Sequence, residues 1–381
     1  MPWGARIQTL GVNPKMNKAS SFTVATLLSL IACQTMAAQP ASDFKVDEKY
    51  RPKIFKQFTD IVNVPDGMTQ DKEGNFYVAC PNLVDQAYPG IIMKFGKKSK
   101  KWEIFLAAPV HPETKKGFPM GLEFGEDGNL YYADNQYFLD KNYKSRLMRV
   151  IICKETGLPV KVETVVENVK LTNAVRCRGN AVYFTDTFFD LKDKNAGGVY
   201  RVPFSAFEKA PVKLLNKEDA EKDPYCLGIT YCTPNHRGDI AATDGMCFDK
   251  KGNIYTGNFG DGHFYTLKLQ PDGSYAKPLS LLQNTKQLPC VDGVNYYEKK
   301  NWVIIADSER NAVVYWDIDA AKLGMLWIND DTDGADGLLD QPCECIVWNE
   351  QLIVSNFDVT FPGLKNQKND PVHTLSVIKL P

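Results

Sequence analysis

The chain has 381 residues, with 45 Lys+Arg against 46 Asp+Glu and a formal net charge of −1. That balance creates no general field for nucleic acid or an anionic membrane surface, so neither is expected as a partner. Aromatics at 11%, with 27 Gly and 22 Pro, suit a large all-β domain.

Residues 1–38 read as an export signal rather than as part of the fold. Phe22 to Ala32 is apolar and uncharged, too short to span a bilayer and the right length for a signal core. Met16, two residues before Lys18, offers a second start. Two endings are open. Leu30-Ile31-Ala32-Cys33 matches a lipobox, in which Cys33 would carry a lipid anchor, and Thr35 to Ala38 matches ordinary cleavage. Both place the rest of the chain outside the cytoplasm, in a bacterial periplasm. No later stretch is apolar enough for a membrane helix. Nine cysteines follow Cys33, in a compartment that permits disulfides. Cys226 and Cys232 flank a short segment and are the expected pair, while Cys290, Cys343 and Cys345 are expected near one another. No CxxC pair occurs, which argues against structural zinc.

From residue 50 onward one pattern recurs. It reads PDGMTQDKEGNFYVA at 65–79, PMGLEFGEDGNLYYA at 119–133, TDGMCFDKKGNIYTG at 243–257 and VDGVNYYEKKNWVIIA at 291–306. Looser copies are TNAVRCRGNAVYFTD at 172–186 and CECIVWNEQLIVSN at 343–356. The second residue of each copy falls at 66, 120, 173, 244, 292 and 344. Each copy reads as a β-hairpin around a polar turn, and the remaining residues supply two outer strands, such as 90–105 and 262–282. The DKEGN and DKKGN turns at 71–75 and 249–253 are read as structural. Repeats of this size, rich in short strands, mean propeller blades. The fold expected over 50–381 is all-β, a six-bladed β-propeller of four-stranded antiparallel blades. The ring should close by pairing His373 to Leu380 with a strand near Lys53 to Phe58. A polar insertion around 208–240 is expected as a rim loop.

In a propeller the first strand of each blade lines the central channel. The key positions should therefore converge at one mouth: Asp66, Met120, Asn173, Asp244, Asp292 and Glu344. The ends of the second strands should join them: Asn82, Asn135, Asp186, Asn258, Asp307 and Asn356. Crowded carboxylates need a cation or bound protons. Oxygen ligands from Asp, Glu and Asn suit one hard divalent ion, Ca²⁺ first, with Zn²⁺, Mn²⁺ or Mg²⁺ as alternatives. Each Asp-Gly also has a plain reading as a turn in which Asp bonds nearby backbone N–H groups.

At these residues the chain resembles the SMP-30/gluconolactonase superfamily of six-bladed propellers, which includes gluconolactonases, the senescence marker protein and diisopropylfluorophosphatase-type enzymes. The closest stretch is Thr243 to Asp249 followed by Gly252 to Tyr255. Asn173 matches the third-blade ligand of that family, and Asp66 stands where the family usually places Glu. The resemblance implies one divalent ion held by Asp66, Asn173 and Asp244, with Asp244 as base or nucleophile, and hydrolysis of a lactone or related ester. Asp292, Glu344 and Met120 are additional ring residues. Asn135, Asp186, Asn258, Phe259, His263, Asp307 and Asn356 are pocket candidates. Ser308 stands where the diisopropylfluorophosphatase type has a channel His, which argues against phosphotriesters.

The expected protein is thus a monomeric, exported, metal-dependent lactone or ester hydrolase acting on a small molecule. Two alternatives stay open: a non-catalytic NHL-like binding propeller, which Met120 favours, and a strictosidine-synthase-like propeller, which needs no metal.

Overall fold

The computed structural model describes residues 45–381 apart from 192–193, 210 and 285–286. The expected signal over 1–38, with Met16 and Cys33, lies outside the described residues. The strands form six sheets, each with four antiparallel strands running from an inner strand outward. Blade one is Met68–Gln70, Phe76–Cys80, Ile91–Phe95 and Trp102–Ala107. Blade two is Pro119–Phe124, Leu130–Asp134, Ser145–Ile152 and Pro159–Val169, and blade three is Thr172–Arg178, Ala181–Leu191, Lys194–Pro203 and Cys226–Cys232. Blade four is Thr243–Phe248, Ile254–Asn258, Phe264–Leu267 and Ser280–Gln283. Blade five is Val294–Tyr297, Trp302–Asp307, Ala312–Asp317 and Lys322–Ile328. Blade six takes Pro342–Trp348, Gln351–Asn356 and Thr374–Lys379 from the C-terminal end and Lys53–Gln57 from the other. The architecture is a six-bladed β-propeller. Among the described residues no helix is long and apolar enough to cross a membrane.

The closing strands pair as the sequence pattern suggested, Lys53 opposite Val377 and Gln57 opposite Thr374. Phe55 and Trp348 of blade six meet Phe76 and Trp102 of blade one with ring centroids 5.4–6.5 Å apart. Each such pair adds about 0.5–1.5 kcal/mol beyond its burial, so the seam is sealed by packing as well as by the ladder.

The polar turns are structural. Asp71 accepts from the Asn75 backbone N–H (2.8 Å), the Asn75 side-chain amide (2.7 Å) and the Tyr77 hydroxyl (2.9 Å). Asp249 holds Asn253 in the same way. The amide oxygen of each Asn then accepts a backbone N–H just past the end of the blade's third strand, at Lys97 and Leu269.

Two expectations are corrected. The insertion around 208–240 is more than a rim loop, because it contains Cys226–Cys232, the outermost strand of blade three. It also adds Val212–Lys213 to blade two in parallel with Val166 and Glu167. Cys226 and Cys232 are the two ends of that one strand, opposite Tyr200 and Asn195. Six steps of extended chain place them about 20 Å apart, far beyond disulfide reach. All nine described cysteines are free, including Cys290, Cys343 and Cys345.

Candidate metal centre

The inner hairpins carry a register shift where the key residues sit, between Pro119 and Leu122, Thr172 and Val175, Thr243 and Met246, and Pro342 and Glu344. Such a bulge bends the strand and re-aims a side chain. The glycine after the key residue lets neighbouring blades touch. A Cβ on Gly67 would lie 2.5 Å from the Met120 carbonyl oxygen, and one on Gly245 would lie 2.0 Å from that of Asp292. Only backbone fits there, so the inner strands crowd and their side chains converge.

They converge on a cavity of about 180 Å³ whose floor includes Asp66, Met120, Asn173, Asp244 and Asp292. Asn173 donates its side-chain N–H to an Asp244 oxygen. The Asp66 and Asp244 side chains are almost fully buried. Asp66 Oδ2 has no hydrogen-bond partner, and neither has the buried hydroxyl of Thr187, another cavity residue.

Electrostatics follow from this crowding. Burial, then the charge on Glu344, pushes the Asp66 carboxyl up to about 7. Asp244 is held well above the usual carboxylate range by burial and by Asp66, Asp239 and Glu344, against the Asn173 hydrogen bond. Asp292 is raised by burial and Asp244, against the Ser308 hydrogen bond. Ser308 Oγ lies 2.7 Å from Asp292 Oδ2 and 2.6 Å from the Pro342 carbonyl oxygen. A hydroxyl has one proton, so both contacts are satisfied when Asp292 is itself protonated. Burial and mutual repulsion thus bias this floor toward its protonated forms, and a cation would oppose that bias.

Glu344 does not line the cavity. Pro342 pairs with Asn356 as Thr243 pairs with Asn258 and Thr172 with Asp186. The sixth key position is therefore Cys343, a cavity residue, and the sequence register was one residue out. Glu344 instead faces Arg176 at 3.2 Å, both buried.

The second-strand ends are out by one residue in most blades as well. Asn82, Asp186 and Asn356 accept a backbone N–H from the segment entering the inner strand, at Asn63, Leu171 and Asp340. Asp134 does the same for Phe118. Asn258 bonds Thr230 and Tyr231, and Asp307 pairs with Arg310 at 2.6 Å. These side chains clasp the blade ends, and of the pocket candidates Asp186, Asn258, Asp307, Asn356 and His263 do not line the cavity. His263 sits at 2.9 Å from Asp261 instead. The residue after the clasp is the one that faces inward: Asn135, Thr187, Phe259 and Phe357. Of these the sequence reading had named Asn135 and Phe259. It missed Thr187, Phe357 and Asp239, the last because the insertion was read as a rim loop. Aromatic rings form much of the mouth. Tyr137 stacks on Phe188 at 4.7 Å, and Phe259 meets Phe361 edge-on at 6.5 Å.

The residues present fit a divalent cation. Buried carboxylates with an orphaned oxygen, beside an amide, form an oxygen-donor set of the kind hard ions take. Asn173, its Nδ2 given to Asp244, keeps its carbonyl oxygen for an ion.

No protein-family model and no curated protein sequence matches the chain. Solved structures do. A luciferin-regenerating enzyme superposes with a TM-score of 0.55 at 11% identity, covering 86% of this chain and 95% of that one. Regucalcin from Agrobacterium tumefaciens, described as a calcium-binding protein, gives 0.52 at 12% identity over 87% and 93%. A gluconolactonase from Xanthomonas campestris gives 0.50 at 12% over 91% and 99%. The likeness extends to sugar dehydrogenases, so it shows the six-bladed fold and leaves the reaction to be argued from the site.

Proposed function

We propose that this protein is a divalent-metal-dependent hydrolase of a lactone or related ester, with a Ca²⁺-type ion held by Asp66, Asn173 and Asp244 and bordered by Asp292. The observation that carries the reading is the orphaned, buried Asp66 Oδ2 among convergent carboxylates on the floor of a cavity. The gluconolactonase and regucalcin likenesses support it at the level of fold.

A bound ion would polarise the substrate carbonyl. Asp244 is the candidate base or nucleophile. Its carboxylate takes a proton from attacking water, whose oxygen bonds to the carbonyl carbon while the ester C–O bond breaks and the proton passes to the leaving alcohol oxygen; or it attacks the carbon itself, the same C–O bond breaking to leave a mixed anhydride that water then cleaves. Asn173 fixes Asp244 by its hydrogen bond. Phe188, Phe259 and Phe361 exclude water and favour a substrate with an apolar body, which sits less well with a bare sugar lactone. We place the reaction outside the cytoplasm, on the strength of the apolar signal-like stretch Phe22 to Ala32.

The test is bound metal per chain by elemental mass spectrometry, with Asp244→Ala alongside, followed by a lactone and aryl-ester panel with and without chelator. About one calcium in the wild type beyond that in the variant, with hydrolysis lost on chelation and restored by calcium, is the expected outcome. Met120 on the floor, touched by the Asn135 amide, favours the binding-propeller alternative. Ligand binding without turnover, whatever the metal, would establish that one instead.

A further inference from the structure

A second cluster lies outside the cavity, where two loops meet beside blade six. One loop spans 329–341 and enters the inner strand. The other spans 357–373 and joins Gln351–Asn356 to Thr374–Lys379. Carboxylate oxygens of Asp340, Asp358 and Asp370 lie within 4.8 Å of one another. Asp340 and Asp358 are 1% and 2% exposed.

Three acids together are not a site. Asp340 is the independent observation: both of its oxygens are buried and without a hydrogen-bond partner, and one of them lies within 4.8 Å of the Asp358 and Asp370 oxygens. Asp358 differs, since its Oδ1 accepts from the Asn366 amide (3.0 Å) and its Oδ2 from the Asp370 backbone (2.8 Å). Those bonds fix its orientation and leave each oxygen a free lone pair. Among the described residues no lysine, arginine or histidine pairs with Asp340, Asp358 or Asp370. The nearest loop acids that have cations are others, Asp330 with Lys365 at 3.1 Å and Asp336 with Arg51 at 3.6 Å. We propose that Asp340, Asp358 and Asp370 form a structural Ca²⁺ site that ties the two blade-six loops together.

The chemistry selects the ion. Carboxylates from two irregular loops form an all-oxygen set, which suits calcium's flexible coordination better than the strict octahedron of magnesium. Asp331 and Asp333 add negative field. Burial and the charges of Asp358, Asp370, Asp331 and Asp333 together push Asp340 up to about 9. The entering loop also reads Asn329-x-Asp331-x-Asp333-Gly334-x5-Asp340, the donor spacing of a calcium loop. It departs from that plan at both ends, with Asn329 for Asp at the first position and Asp340 for Glu at the last. Asn329 is consumed in closing the loop neck, bonding the Leu339 N–H (3.0 Å) and C=O (2.8 Å), and Asp358 and Asp370 come from the neighbouring loop. Gly334, at φ +65°, sits against Asp340, where a Cβ would lie 3.6 Å from its Oδ2.

The position gives the site a task. Gln341 follows Asp340 and Phe357 precedes Asp358, and both line the cavity. The Phe357 N–H donates to the Gln341 carbonyl at 2.9 Å. An ion here would pin that wall in the blade that also closes the ring.

The experiment is calorimetric titration of chelator-stripped protein with calcium chloride, comparing Asp244→Asn with Asp244→Asn/Asp340→Asn and Asp244→Asn/Asp370→Asn. The Asp340 double variant should bind one calcium fewer than Asp244→Asn, and the Asp370 one should bind it at least tenfold more weakly. Calcium should raise the unfolding midpoint of Asp244→Asn and not that of the Asp340 double variant. Because the comparison is made within Asp244→Asn, it stands whether or not the cavity holds an ion. Asp370 is half-buried, so its variant reads the site even if the Asp340 variant misfolds. Equal stoichiometry and affinity across the set overturns the proposal.

Discussion

Replacing Asp66 by Asn should stabilise the ion-free protein at alkaline pH while weakening its hold on calcium. The reasoning starts from a carboxyl whose ordinary value is 3.8 and which burial and Glu344 raise to about 7 in the fold. Below about pH 4 both folded and unfolded chains carry the proton, and the residue costs nothing. Between about pH 4 and 7 the unfolded chain ionises first, so the folded state loses ground as pH rises. Above about 7 the penalty is complete, and the gap between 3.8 and about 7 is worth about 4 kcal/mol. Asn carries no charge and escapes it. Urea unfolding in excess chelator at pH 4.5 and 8.5 is the assay. Asp66→Asn should exceed the wild type by only about 1 kcal/mol at the lower pH, where the unfolded carboxyl has begun to ionise, and by up to about 4 kcal/mol at the higher. Calcium at pH 8.5 should recover most of that difference for the wild type and little for the variant. A variant that is equally destabilised at both pH values, with calcium helping both proteins alike, would refute the picture of an orphaned carboxylate waiting for a cation.

Asp244→Asn should lower turnover by about 10²–10⁴-fold with the fold intact, read by initial rates on the best ester beside circular dichroism. Gly245→Ala places a Cβ 2.0 Å from the Asp292 carbonyl oxygen, so urea titration should show a loss of about 1–3 kcal/mol together with weaker calcium binding. Arg176→Met leaves Glu344 buried without its 3.2 Å partner and should cost about 3–5 kcal/mol; adding Glu344→Gln should return part of it, as a double-mutant cycle would show. A chain lacking residues 1–38 should give nine reactive thiols in denaturant without reductant, since every described cysteine is free, and seven would restore a disulfide.

The blades were legible because the turn chemistry is local. Asp71 with Asn75 and Asp249 with Asn253 close their hairpins by bonds within five residues, and such bonds leave a fixed spacing in the sequence. Asp66, Asn173, Asp244 and Asp292 were legible for a related reason: each sits at the start of a recognisable hairpin, marked by Asp-Gly at Asp66, Asp244 and Asp292 and aimed by a bulge at Asn173 and Asp244. What could not be read is phase. A strand shows opposite faces at successive residues, so a slip of one moves a side chain from the cavity to a blade end or down the channel. The sixth copy, CECIVWN, has no Asp-Gly to mark its register, and Glu344 looked like the ring acid when Cys343 held that place. The second-strand ends misled differently, because Asp and Asn serve equally as ligands and as acceptors for a backbone N–H. Only the fold separates Asn356, with its oxygen accepting the Asp340 N–H, from Asn135 one position further along.

That division of labour also explains how the fold tolerates its acids. At the blade ends, negative or amide oxygens are met by backbone N–H groups, and deeper in the channel Glu344 is met by Arg176. Charge there is neutralised by the chain itself, and nothing further is required of it. Asp66 on the cavity floor and Asp340 between the blade-six loops are different. Each has a buried oxygen with no protein partner, and in each case the chain supplies more negative charge nearby instead of a cation. A native fold keeps few such groups, since an unpaired buried carboxylate costs more than an apolar residue of the same size. Two at separate places, each facing further oxygen donors, are what the two proposed ion sites rest on. The two sites are separable by the variants described, and they predict different losses: catalysis for the floor, and the order of one cavity wall for the loops.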